Sequence, residues 1–184
     1  MTTVFIAGSM SIKNLHAMVL DRLANIVSAS MPVVVGDADG ADASIQTYLA
    51  DAGHRKTTVF CTIEPRNNVG DWPVFVVESK HPRGTRAFFT AKDVAMAEAA
   101  DIGLMIWDAK STGTLSNVLE LLARQKKAVV FVNKLKQFVN VATVDQLETD
   151  LLPLMADGAL SKAEEKLGLQ TRIQKLRHSQ SEMF

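Results

Sequence analysis

Five short apolar runs recur along the chain without a polar interruption: Thr3–Gly8 (TVFIAG), Pro32–Gly36 (PVVVG), Thr57–Cys61 (TTVFC), Ile102–Trp107 (IGLMIW) and Ala128–Val132 (AVVFV). A strand with one wet face alternates apolar and polar residues, whereas a strand covered on both faces reads as a continuous run. These runs therefore belong to the middle layer of a parallel sheet. Helical patterns fill the gaps, at about residues 12–29, 41–52, 85–100 and 114–125. The alternation predicts a doubly wound, Rossmann-like α/β sheet flanked by helices, with right-handed crossovers. A weaker sixth run, Trp72–Glu78, is placed at an edge or in an insertion.

After Val132 the texture changes. Thr143 with Gln146, and Ser161 with Glu164, have the spacing of a capping box, and Leu167, Leu169, Ile173 and Leu176 form a thin apolar stripe among charges. Residues 1–134 are thus read as the Rossmann-like domain and 135–184 as a helical C-terminal extension. The extension is expected to pack on the core or on a second copy, and to serve homo-oligomer assembly rather than chemistry.

Twenty basic and twenty acidic side chains cancel, so no global field draws nucleic acid or an anionic membrane toward the chain. On that ground neither is expected as a partner. The lone cysteine, Cys61, excludes an internal disulfide and a multi-cysteine metal cluster. The start, MTTVFIAGSM, has no basic n-region, and no apolar run approaches the roughly 20 residues of a membrane span. The expectation is a cytoplasmic protein. No P-loop, H-E-x-x-H or G-x-S-x-G motif occurs.

Ligands of an open parallel sheet bind beyond the C-terminal ends of its strands. The loops there are AGSMS (7–11), GDADGAD (36–42), TIEPRNNVGDW (62–72) and DAKSTGT (108–114). Gly8 with Ser9, and Gly113 with Thr114, would offer backbone N–H and hydroxyl donors at helix starts, a natural anion seat. The loop around Gly36 and Gly40 is different, because it carries Asp37, Asp39 and Asp42. Asp39 is placed to cap the following helix and Asp42 to complement its dipole. Asp37 has no such duty; it suits ribose hydroxyls, or a magnesium ion shared with Asp39, although no metal or cofactor is required. Arg66 and Asn67 add donors from the third loop. Arg86, at the start of a helix, is the expected phosphate clamp. Trp72 and Trp107 end or follow strands at the same edge and are more readily packing residues than stacking platforms.

The segments FIAGSMSI, VVVGDADGADASIQ, RAFFTAKDVAM and ADIGLMIWDAKSTGTLSNVLELLARQKKAVVFV together resemble the SLOG superfamily, over about residues 3–133. That group includes the LOG, DprA and YspA-like proteins, and the last segment is also similar to nucleoside 2-deoxyribosyltransferases. The resemblance implies a nucleotide- or nucleoside-derived ligand at the sheet edge, with hydrolysis or transfer at an N-glycosidic bond. In that reading Asp37 or Asp39 acts on the sugar, and Asp108 joins the ligand-binding set. Where the LOG pattern G-G-x-G-T-x-x-E has its glutamate, this chain has Asn117, which favours the alternative of a non-catalytic sensor of an NAD or ADP-ribose derivative. DNA binding in the manner of DprA is disfavoured by the zero net charge and the lack of a basic stripe.

Overall fold

Each apolar run becomes a strand buried on both faces. The computed structural model describes residues 1–182. It contains β1 (Val4–Gly8), β2 (Val33–Gly36), β3 (Thr57–Cys61), β4 (Val74–Val76), β5 (Ile102–Trp107) and β6 (Lys127–Val132), all parallel, plus β7 (Gln137–Val141) antiparallel to β6. The order is β4-β3-β2-β1-β5-β6-β7. Connections run outward in opposite directions from β1 and β5, so the switch point lies between these two strands, where Gly8 is in register with Ile106. β4 is the edge strand placed at Trp72–Glu78 by sequence; its three residues are exposed.

Alternate strand residues feed two cores. Phe5, Met105, Trp107 and Val130 point to one face, under α3 (Arg86–Ala99) and α4 (Thr112–Ala123). Ile6, Val35, Ile106 and Phe131 point to the other, under α1 (Ala17–Ser28) and α2 (Ala41–Asp51). α1 starts later than the apolar period suggests. The chain first loops back through Ser9–Ile12, and His16 then caps the helix by accepting the Met18 N–H on Nδ1.

Beyond β7 the extension is helical: α5 (Val144–Gln146) runs into a π-type turn at Leu147–Leu151, followed by α6 (Ala159–Leu167) and α7 (Leu169–Ser181). Thr143 caps α5 through the Gln146 N–H, while the Gln146 side chain takes the N–H of Ala142. The second capping box does not form. α6 begins two residues before Ser161, after Gly158 in a left-handed conformation, and Glu164 instead accepts the Gln170 N–H. The apolar stripe closes on its own chain: Ala163, Leu169, Ile173 and Leu176 are buried in the same cluster as Leu115, Val118 and Leu122 of α4. Arg172 locks the contact through Glu120 at 2.8 Å and Ser116 at 3.0 Å. The stripe thus needs no second copy to bury it. Among the described residues no helix is long and apolar enough to cross a membrane.

Leu169 is fully buried where α7 meets this cluster. Leu169→Ala is therefore expected to lower unfolding free energy by about 2–5 kcal/mol in urea denaturation. A loss under about 1 kcal/mol would show that the extension is not part of the core.

Candidate functional site

A cleft of about 650 Å³ opens at the C-terminal edge of the sheet, over the β1/β5 switch point. One wall comes from the β1 loop, with Gly8, Ser9 and Met10, and another from α3, with Arg86, Phe89 and Lys92. The β5–α4 loop supplies Asp108, Lys110, Gly113 and Thr114, with Asn117 one turn into α4. The N–H groups of Thr112, Gly113 and Thr114 precede the first intrahelical bond of α4, from the Leu115 N–H to the Ser111 carbonyl. A Cβ at Gly113 would meet nothing within 4 Å, so this turn faces open space. That is the geometry of an anion seat.

The rim is cationic. Arg86, Lys110, Lys162 and Lys166 all line the cleft. None of the four forms an ion pair among the described residues. Arg86 Nη2 donates to Thr112 Oγ1 at 2.9 Å, which draws the guanidinium over the α4 N-terminus. Lys162 and Lys166 come from α6, so the extension takes part in the site, contrary to the expectation that it stays clear of the ligand loops. Their spacing of four residues places both on one helix face, a signal available in the sequence. Phe89 was also missed. Two adjacent phenylalanines on a helix point about 100° apart; Phe88 is buried and Phe89 is 45% exposed in the cleft wall.

Beneath the cleft the acidic loop is organised around Lys92, which is only 6% exposed. Asp37 Oδ1 accepts from Lys92 Nζ and from Arg66 Nη2, and Asp37 Oδ2 accepts from the Arg66 backbone N–H and Nε. Four donors occupy the four lone-pair positions of one carboxylate. Burial alone would raise this carboxyl, but the bonds from Arg66 and Lys92 hold it down at about 2. All four positions of Asp37 are thus taken by protein donors, where the sequence led to the expectation of a sugar reader, a magnesium ligand or a catalyst.

Asp39 is exposed and takes the Asn67 amide at 3.0 Å; the α2 cap is Gly40, without a side-chain bond, so Asp39 is not the cap expected from sequence. Gly40 has φ +78°, and a Cβ there would run into the Met10 backbone. At Gly8 a Cβ would sit 2.6 Å from the Ala41 Cβ. Both glycines answer to internal packing. Asp37, Asp39, Gly36, Gly40 and Asn67 lie outside the cleft lining, whereas Gly8, Ser9, Arg66, Arg86, Asp108, Gly113, Thr114 and Asn117 belong to it.

Ser9 and Thr114 are buried with their hydroxyls 3.3 Å apart, and Ser9 Oγ also accepts the Asp108 N–H. Asp108 is held below the usual carboxylate range: partial burial is outweighed by the Ser111 and Lys110 N–H groups and the Ser11 and Ser111 hydroxyls. Trp107 and Trp72 are packing residues; their indoles donate to the carbonyls of Ser111 and His54.

Two carboxyls behave in the opposite way. Burial pushes Asp42 up to about 6 and Asp93 up to about 7, against the attraction of Lys92. Asp42 Oδ1 is buried without a hydrogen-bond partner, which favours the uncharged carboxyl up to about pH 6. Among the described residues no group of three or more His, Cys, Asp or Glu side chains could hold a metal ion.

The arrangement of sheet, strand order and switch point defines a Rossmann-like fold. No family model matches the chain, and no curated protein matches it. Among solved structures it is similar to DNA processing protein A from Helicobacter pylori, described for its single-stranded DNA binding mode, with a TM-score of 0.55 and 17% identity over 91% of this chain and 80% of that one. A likeness to nucleoside deoxyribosyltransferases is not shown. The likeness to a single-stranded-DNA-binding protein overturns two expectations: that nucleic acid is no partner, and that the ligand is a nucleotide-derived small molecule, cleaved or sensed. The physical reason is that a net charge of zero averages over the surface. It is blind to four free cations gathered on one rim.

The raised carboxyls set a pH dependence. Asp42 and Asp93 retain protons in the folded chain that the unfolded chain, with carboxyls near 3.8, loses between about pH 4 and 7. Their contribution to stability is full below about pH 4 and is lost as pH rises through 6 to 7. Asp37 runs the other way: its contribution is present above about pH 4 and is lost as pH falls toward 2. The melting temperature is expected to be higher at pH 5 than at pH 8, and Asp42→Asn should narrow that difference. An equal difference in wild type and variant, measured by calorimetry, would place the titration elsewhere.

Proposed function

We propose that the chain binds single-stranded DNA in this cleft. The observation that carries the reading is the ring of four unpaired cations, Arg86, Lys110, Lys162 and Lys166, around a cleft whose floor is the N-terminus of α4. Phosphates suit the cations and the α4 amides. Phe89 offers an exposed ring to an unpaired base, and base–aromatic stacking tolerates any sequence because every base has a π-face. A duplex keeps its base faces stacked on one another and has none to present. The fold likeness to a protein described as binding single-stranded DNA agrees with this reading. The negative charge of Asp37 is met by Lys92 and Arg66, and the raised Asp42 and Asp93 lose their charge as pH falls below about 6, which lessens the repulsion of a phosphate.

Fluorescence anisotropy with a labelled oligothymidylate tests this. Single-stranded DNA is expected to bind more tightly than a duplex of equal length, and to weaken with salt. Lys162→Ala with Lys166→Ala should reduce the slope of log affinity against log salt by about 1.4. Phe89→Ala should cost about 1–3 kcal/mol while leaving that slope unchanged. Equal affinity for duplex and single strand, or a slope unmoved by loss of both lysines, would defeat the reading.

A further inference from the structure

The cleft does not end at Lys110. A second cavity of about 430 Å³ shares Ser11, Asp108 and Lys110 with it and continues along the C-terminal edge of the sheet, past β1 toward β6. Its far side carries Lys13, Asn14, Asn133 and Lys134. Lys13 and Lys134 come from opposite sides of the switch point, one after β1 and the other after β6, and both are exposed. Neither forms an ion pair among the described residues. The shared wall is rigid, because Asp108 accepts from Ser11 and Ser111 and from the N–H groups of Lys110 and Ser111. That carboxylate is held as the anion by four neutral donors, and Lys13, Lys110 and Lys134 outnumber its single charge.

We propose that this second cavity is a further subsite for the same DNA strand, holding the nucleotides that leave the Phe89 cleft past Lys110. The inference rests on the single-stranded DNA reading of the first cleft. Two pieces of chemistry recommend it. Lys13 and Lys134 are mobile point charges suited to a phosphodiester that needs neutralising but not orienting. Asn14 and Asn133 each carry a donor and an acceptor on one side chain, which any base edge can satisfy. The lining contains no aromatic ring, so this subsite would hold the strand by its backbone, with the stacking left to Phe89.

The test compares two oligothymidylates, one of about 3 nucleotides and one of about 12, on the full chain. Wild type is expected to bind the longer one more tightly and with a steeper salt dependence. Lys13→Ala with Lys134→Ala should weaken the longer strand about tenfold and lower its salt slope by about 1.4, with the short strand unaffected. An unchanged melting temperature would exclude a folding effect; should the double variant be destabilised, Lys134→Gln alone is expected to show about half of the slope change at native stability. Wild-type binding of the longer strand by these variants would overturn the second subsite while leaving the first cleft intact. Equal binding of both lengths by wild type would overturn it too. If instead Lys162→Ala with Lys166→Ala binds both lengths as wild type does, the first-cleft reading falls and the subsite falls with it.

Discussion

The ammonium group of Lys92 is the point on which the C-terminal edge of the sheet depends. It sits on α3, is almost wholly buried, and meets Asp37 from the β2 loop with Asp42 of α2 close by. Through Asp37 it also fixes Arg66 of the β3 loop. Gly36 belongs to the same arrangement: a Cβ there would lie 2.5 Å from Asp42 Oδ2 and 3.2 Å from Lys92 Nζ. Three segments far apart in sequence, around residues 37–42, 66 and 92, are thus held by one charge. Removing it would leave the buried Asp37 without its buried counter-ion, and breaking a buried ion pair in this way costs about 3–5 kcal/mol.

The same arrangement explains how a chain with no net charge presents a positive cleft. Several basic residues elsewhere are neutralised where they stand. Arg177 meets Asp145 and Glu148, and Arg124 meets Glu98 and Glu120. Of the acids nearest the cleft, Asp37 is neutralised by Lys92 and Arg66 and Asp42 and Asp93 are pushed toward the uncharged form, while Asp108 stays ionised beside Lys110. The rim cations Arg86, Lys110, Lys162 and Lys166 form no ion pair among the described residues. Counting side chains cannot reveal this, because the distribution of pairing decides the field at a given place.

Strands and their order of burial could be read from the sequence because continuous apolar runs have one physical meaning: cover on both faces. Arg86 was legible for a similar reason, as a cation at a helix start beyond the right strand. The acidic loop was not. Asp37 looked free because its partners, Lys92 and Arg66, lie 55 and 29 residues away, and local spacing carries no record of such pairing. Asp39 was assigned a capping role that the left-handed Gly40 pre-empts. In the extension the stripe of Leu169, Ile173 and Leu176 announced that something must be covered, yet said nothing of the α4 surface that covers it. Lys162 and Lys166 were passed over as part of a solvated face, which is how four-spaced lysines usually read.

α6 has two attachments, and they have a thermodynamic consequence. Its Ala163 rests in the core shared with α4, while Lys162 and Lys166 reach over the cleft. Docking of the helix and occupancy of the cleft are therefore linked equilibria, each favouring the other by the same free energy. A strand present at 100 times its dissociation constant would add about 2.7 kcal/mol to the folded state, and part of that gain would appear as slower amide exchange in α6. The extension would then act as a clasp, tightened by what it holds.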